Sequence, residues 1–441
     1  MKTIFISDLA HKATGTSISL FCWLRSRREQ SKRIFLQLVD STGEVQAVVE
    51  KGSIDVETAK IAKKVAPESA LEVLGKLARV SANRVEILAD KISVVGSVSL
   101  DKKLRPRHEL PGWPTPNAKQ TDQQLTLRHL YLRNPTNMAI LRFRSALEAS
   151  LRRWFESRRI LSFAAPILTP CPLYEDGTAV RLRLHEQDVF LTQCVGFYLE
   201  AAAHAFEGVY NIGPSFRAAE SKSPKHLVEY WHVKAELAWG DLNDIMALCE
   251  EMLEVVVMEL QQVLNETAAR AKTKPCLDAL KTPYVRITYQ EALERLERTG
   301  DKMQFGDAIS GEHQTLLATQ FDRPFWIVGN PRGVEPFPYV IDSEDTRLTR
   351  TADLIATGDG GELLGTAEKI HQIEQLDERM REKSRHTDNR YQFVREVHEL
   401  GCVPHIAFGM GFERLIRWLL GLHHVRDAIP FPRVINRKFF P

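Results

Sequence analysis

Two hydrophobic periods divide the chain. Across residues 17–50 apolar and polar positions roughly alternate: SISLFCWLRS and RIFLQLVDS are short and rich in β-branched and aromatic residues, and the turn STGE leads into VQAVVE. Residues 55–66, DVETAKIAKKVA, shift to helical spacing, with Asp55 placed as a cap. Alternation returns in LEVLGKLARV and RVEILADKISVV. Five strands with one helix in about 100 residues predict a small closed barrel of the OB-fold kind.

The pattern then breaks. LRPRHELPGWPTPNAK holds four prolines and little periodicity, and reads as a hinge. Beyond it, helical spacing predicts a long helix from Asn137 to Ser157 and another over 246–264, while TADLIATGD and HIAFGMG read as strands. The expected domains are a barrel over 1–100, a hinge over 101–130, and a mixed domain of strands and helices over 131–441.

Composition narrows the class. A chain of 441 residues is too long for one core, and 44% hydrophobic with 26% charged residues is ordinary for a globular protein. A net charge of +2 means that any nucleic-acid footprint must be a local basic patch. The six cysteines have no CxxC spacing, which argues against zinc and against a disulfide framework. MKTIFISDLA meets Asp8 before an apolar run develops, and no stretch of 18 uncharged apolar residues follows. A soluble, cytoplasmic protein is expected, without a membrane span.

Three segments carry candidate chemistry. In HIAFGMGFERLIRWLLGL (405–422) a strand ends on Gly409 and Gly411, and a helix begins near Phe412. The glycines permit close approach of a flat ligand, and Arg414 in the first helical turn suits stacking on a base; read alone, this is more readily an ordinary strand–turn–helix with a solvated arginine. In VYNIGPSFRAAESKSPKHLVEYWHVKAELAW (209–239) two strand-like runs flank a polar loop, with Arg217, Lys225 and His226 at its mouth. Such a group suits a triphosphate, or is simply solvated. In DLIATGDGGELLGTAEK (353–369) Glu362 follows a glycine-rich turn and suits Mg²⁺, or is a surface carboxylate.

Taken in order, these segments resemble the three signature motifs of class II aminoacyl-tRNA synthetases, in the aspartate/asparagine subgroup. ILSFAAPILTP (160–170) resembles motif 1, FRAAES with KHLVEYW motif 2, and GMGFERL followed by VRDAIPFPR motif 3. RHLYLRNPTNMAILRFRS (128–145) is also similar to the subgroup, so the resemblance covers nearly the whole chain. It implies an α+β protein: an N-terminal OB-fold barrel that reads the anticodon, and a catalytic domain with an antiparallel sheet flanked by helices. It further implies activation of an amino acid with ATP and Mg²⁺, transfer of the acyl group to tRNA, and a homodimer formed around Pro166.

The resemblance also assigns roles. Arg217 matches the arginine on the α-phosphate, His226 a residue near the γ-phosphate, and Arg414 the arginine over the adenine; these three are the implied catalytic set. Tyr230 stands where the family has a phenylalanine beneath the adenine, and Glu362 matches the Mg²⁺ carboxylate. Glu175, Gln193, Gly196 and Lys369 fall in the implied amino-acid pocket. In the barrel, Phe35 matches a base-stacking aromatic, and Gln46 and Glu86 its hydrogen-bonding companions, which implies a tRNA of Asn or Asp type with GU at the first two anticodon positions.

Leu199, Gly365 and AIPFPR look like the asparaginyl branch. Several positions depart from the family: Gly196 replaces a substrate-contacting Gln, Ala219 an adenine-contacting Glu, Glu368 a Gln, Lys369 an Arg, and Glu335 a Lys. Glu220, next to Ala219, is expected to point to the opposite face of its strand. These changes gather at the amino-acid and adenine contacts and spare the phosphate contacts, as in a diverged asparaginyl-type ligase for asparagine or an analogue. The alternatives are an aspartyl or non-discriminating enzyme, an inactive tRNA-binding paralogue, and a tRNA-independent amidating enzyme, against which the barrel argues.

Overall fold

The structure, a computed structural model, describes residues 1–81, 84–98, 124–173, 176–219, 223–277 and 282–440. The chain forms two compact units, Met1–Leu110 and Pro111–Pro441. Residues 101–123 of the expected hinge lie outside the described residues.

The first unit is a closed five-stranded barrel with strand order β1-β2-β3-β5-β4. Its strands are β1 (Ser17–Glu29), β2 (Arg33–Val39), β3 (Glu44–Glu50), β4 (Ala70–Ser81) and β5 (Arg84–Gly96). The OB-fold expectation holds, as does the helix between β3 and β4. That helix, α1 (Val56–Lys64), is capped by Asp55, whose carboxylate accepts from the Thr58 amide at 2.8 Å. Alternation on β1 sends Ile18, Leu20, Cys22 and Leu24 inward, where they meet Ile34, Leu36 and Leu38 of β2. A parallel β3–β5 pairing and the β1–β4 ladder close the barrel, so no strand keeps an unpaired edge. At Gly75 β4 crosses so near β5 that a Cβ would lie 2.2 Å from the Leu88 carbonyl oxygen.

The second unit is built on an eight-stranded sheet in the order β12-β13-β14-β15-β16-β11-β10-β6. Its members are β6 (Leu161–Ser162), β10 (Gly208–Phe216), β11 (Glu229–Ala238), β12 (Val285–Thr288), β13 (Phe325–Val328), β14 (Thr351–Ala356), β15 (Gly361–Lys369) and β16 (His405–Gly411). All pairings are antiparallel except β6–β10 and β12–β13 at the two edges. A small sheet of β7 (Leu168–Thr169), β8 (Val180–Leu184) and β9 (Gln187–Leu191) stands apart from it.

The long predicted helix is α2 (Pro135–Ser157); Asn134 caps it and proline occupies the first turn. A further helix, α3 (Gly196–Phe206), starts at the family's altered position. The helix expected over 246–264 is instead two, α4 (Leu242–Glu259) and α5 (Gln261–Ala271), separated at Leu260. The break re-aims the apolar row, so that Leu264, Ala268 and Ala271 return to the core beside Met252 and Val256. The last helix, α6 (Phe412–Leu420), begins where HIAFGMG ends. Helices α2, α4, α5 and α6 bury one face of the large sheet, and the other face is left to form the site.

Candidate active site

A cavity of about 330 Å³ opens over the middle of the large sheet. Arg217, His226, Tyr230, Glu362 and Arg414, which are dispersed over nearly 200 residues of sequence, all line it. Topology explains the convergence: β11 lies between β10 and β16, and β15 lies beyond β16. The Arg217 loop, the Tyr230 strand, the Glu362 strand and the α6 terminus are therefore neighbours.

Arg414 is held by three groups. Its Nη1 donates to the Glu362 carbonyl at 3.0 Å, its Nε to the Lys225 carbonyl at 3.4 Å, and its Nη2 lies 3.2 Å from His226 Nε2. That last contact requires His226 to accept, hence to be neutral. Burial pushes His226 down to about 4, with the nearby charges of Arg414, Arg217 and Lys225 acting in the same direction. The base of α6 is fixed from behind. Glu413 accepts from Arg144 at 2.6 Å and from the Trp231 amide at 2.9 Å, tying α6 to both α2 and β11. Arg128 donates to the carbonyls of Pro430 and Ile429, at 2.8 Å each. The two segments set apart in the sequence as typical of the subgroup, 128–145 and 425–433, thus pack on one another and brace the site.

Glycines open its floor. A Cβ at Gly409 would stand 2.9 Å from His232 Nε2, and one at Gly365 would stand 3.0 Å from Asp353 Oδ1 and 3.8 Å from Glu362 Oε1. Around Gly365 three carboxylates gather. Asn330 Nδ2 donates to both Glu335 and Asp353, at 2.9 Å each, and Glu362 completes the group. Burial raises Glu335 to about 7 and Asp353 well above the usual range, and in each case the neighbouring Glu362 adds to the effect. Carboxylates crowded to this degree fit a divalent cation, which would relieve their repulsion and bridge to phosphate oxygens. Glu362 was read from the sequence as the metal carboxylate; Asp353 was missed, and Glu335 was noted only as a departure.

The implied amino-acid residues fall in different places. Gly196 begins α3, where a Cβ would lie 3.1 Å from Lys234 Nζ. Gln193 is buried; its carbonyl faces the Tyr230 hydroxyl at 3.4 Å and its amide donates to Thr178 at 2.8 Å. Lys369 does not line the cavity. It is buried between Glu200 and Glu236, 3.4 Å from each. Glu368 points away from the cavity, accepting from Arg350 at 2.5 and 2.6 Å and from the Leu242 amide at the start of α4. Leu199 is packed in an apolar cluster with Val195, Ala203 and Val209. Glu175 and Glu220 lie outside the described residues.

Sequence reading also passed over His232, Lys234 and Cys194. His232 and Lys234 follow Tyr230 at intervals of two along β11, so strand alternation was the available signal. Burial works against the charge on Lys234, but Cys194, Tyr339 and Glu236 hold its ammonium above the usual range. Burial likewise raises Cys194, yet Lys234 and His232 bring it well below the ordinary thiol value.

In the barrel, Gln46 and Glu86 are register partners across β3 and β5, and the Gln46 amide donates to Glu86 at 2.8 Å. Phe35 stands on β2 beside β3, opposite Val48, with the Arg28 guanidinium 4.9 Å from its ring centre. The three implied anticodon residues thus share one side of the barrel.

An arginine and a tyrosine facing a cavity, a carboxylate cluster, an antiparallel sheet and an OB-fold barrel define a class of nucleotide-using ligase. Residues 120–435 match the family of tRNA synthetases class II (D, K and N), and residues 18–95 match the OB-fold nucleic acid binding domain. The chain belongs to the class II tRNA synthetases, enzymes that ligate amino acids to tRNA with ATP and Mg²⁺. Among its relatives, asparagine–tRNA ligase of Pyrococcus abyssi is 31% identical over 99% of both chains. The asparaginyl-tRNA synthetase of Pyrococcus horikoshii, solved with asparaginyl-adenylate, superposes with a TM-score of 0.90 at 30% identity over all of both chains. An Entamoeba histolytica asparaginyl-tRNA synthetase, 22% identical, shares the fold over 98% of each chain at a TM-score of 0.85.

Proposed function

We propose that the protein activates asparagine or an analogue with ATP and passes the acyl group to a tRNA whose anticodon begins with GU. The observation that carries this reading is the convergence of Arg217, His226, Tyr230, Glu362 and Arg414 on one cavity. Arg414 and Tyr230 would hold the adenine between them. Arg217 and the cation held by Glu362, Asp353 and Glu335 would neutralise charge as the substrate carboxylate attacks the α-phosphorus and pyrophosphate leaves. Gln193 and Gly196 would border the amino acid, with Glu175 near its amino group and Lys369 acting from beneath. Phe35 would stack on an anticodon base, with Gln46 and Glu86 reading beside it.

The active form in this reading is a homodimer joined near Pro166, which is exposed together with Leu161, Ile167 and Leu168. No helix among the described residues is long and apolar enough to cross a membrane. None of the six cysteines forms a disulfide among the described residues, as is usual for proteins of the cytoplasm. The test is amino-acid-dependent ATP–pyrophosphate exchange with asparagine, aspartate and their analogues. Exchange with at least one of them is expected. Its absence with every amino acid, with and without tRNA, would sink the enzyme reading in favour of a tRNA-binding paralogue.

A further inference from the structure

Strand β11 directs Tyr230, His232, Lys234 and Glu236 to one side, two residues apart. The first three line the cavity, and Glu236 is fully buried beyond it. At roughly 3.4 Å per residue, Lys234 stands about 13 Å along the strand from Tyr230. If Tyr230 marks the adenine, Lys234 marks the opposite end, where the amino-acid side chain must lie.

Lys234 is 4% exposed. Among the described residues no carboxylate is within ion-pair distance of its ammonium, whereas Lys369, one layer deeper, already has Glu200 and Glu236 at 3.4 Å each. The nearest partner of Lys234 is Cys194, whose thiol the ammonium holds below its ordinary value, with Glu236 acting from further off; the missing side chain of Gly196 leaves the cavity side of Nζ open. Taking an ammonium out of water is unfavourable unless an opposite charge meets it. A neutral amide offers only a carbonyl oxygen, but a carboxylate on the cavity side adds a full opposite charge and a charge-assisted hydrogen bond. We infer that Lys234 is a specificity-determining residue, and that the cavity selects an amino acid whose side chain ends in a carboxylate over its amide. The inference rests on the reading of the site as an amino-acid-activating one, and it specifies which analogue of asparagine is preferred.

The test is pyrophosphate exchange by the full chain with L-aspartate, L-glutamate and L-asparagine, using the wild type, Lys234→Gln and Lys234→Arg. The wild type is expected to show a kcat/KM for one acidic amino acid at least about 10-fold above that for asparagine. Lys234→Gln should lower the ratio of the acidic to the asparagine kcat/KM by about 100-fold, chiefly through the acidic KM. Lys234→Arg should keep the acidic preference. Asparagine preferred by the wild type would overturn the inference while leaving the proposed function intact. An equal loss for all amino acids in Lys234→Gln would also overturn it, because Lys234 would then serve the shared α-carboxylate or the fold. Absence of exchange with every amino acid would overturn both readings.

Discussion

His398 commits both ring nitrogens to carbonyl oxygens, those of Val394 and Ile370, at 2.9 Å each. An imidazole with two acceptors must carry two protons, so this ring is a buried cation. Its neighbour His405 donates from Nδ1 to the Val403 carbonyl at 2.8 Å and turns Nε2 toward Glu200 and Glu236 at 3.7 Å. His204, Cys402 and His405 lie near enough together to suggest a metal site. The bonds argue otherwise: His204 Nδ1 faces the Glu200 carbonyl at 2.7 Å and its Nε2 receives the Val403 amide at 3.2 Å, leaving no free lone pair. The cluster is a proton-rich foundation beneath Lys369. Burial lowers His398 and His405, but the neighbouring Cys402 and the Glu200 carboxylate outweigh it, raising them to about 9 and about 10. Both values lie above the ordinary histidine value, so their contribution to stability is full below about pH 6.5 and is lost as pH rises through 9 to 10. Melting temperature measured from pH 6 to 10.5 should fall progressively between about pH 6.5 and 10, and His398→Gln should flatten the fall. An unchanged slope in the variant would assign the loss to other groups.

Elements were legible where one local rule decided them. β16 and α6 came out at His405–Gly411 and Phe412–Leu420 because a strand period gives way to a helical one at Gly411. The barrel was legible for the same reason: one buried face imposes a rough alternation on its strands, clearest on β1. The break at Leu260 was not, since both halves keep helical spacing and only the direction of burial changes. Among site residues, those beside loops and glycine turns, such as Arg217 and Arg414, drew attention as charge out of place. Lys234 did not, because a lysine within an alternating strand reads as an outward position; only the pairing of β11 between β10 and β16 encloses it. The barrel's own prediction belongs at this scale. Phe35, Gln46 and Glu86 sit on β2, β3 and β5, which are linked by ladder bonds within one compact unit. Phe35→Ala should remove a stacking platform worth about 1–3 kcal/mol, weakening tRNA binding by roughly 10-fold or more. Pyrophosphate exchange without tRNA should be unchanged. Filter binding with the unmodified tRNA transcript measures the first, and unaltered affinity would count against anticodon reading by this face.

At the scale of the molecule, the segment 160–170 reaches two parts of the site. Leu161 and Ser162 pair in parallel with Val209 and Tyr210 of β10, the strand that ends just before Arg217. Leu168 and Thr169 pair with Leu191 and Phe190 of β9, which leads directly to Gln193. One short stretch therefore supports both the phosphate side and the amino-acid side of the cavity. Its own outer surface is apolar and open: Leu161, Ile167 and Leu168 are 46%, 43% and 45% exposed. A second copy of the chain covering this stretch would bury those residues and stiffen both supports at once. Placing a charge there should separate the copies, because an uncompensated carboxylate in an apolar interface is strongly unfavourable. Ile167→Asp is expected to shift the protein from dimer to monomer in sedimentation velocity, and to lower pyrophosphate exchange by about 10-fold or more, as expected where positioning is loosened without loss of a reacting group. Raising protein concentration should restore dimer and exchange together if the interface positions the site. A wild-type chain that sediments as a monomer with full exchange would show that the buttress needs no partner.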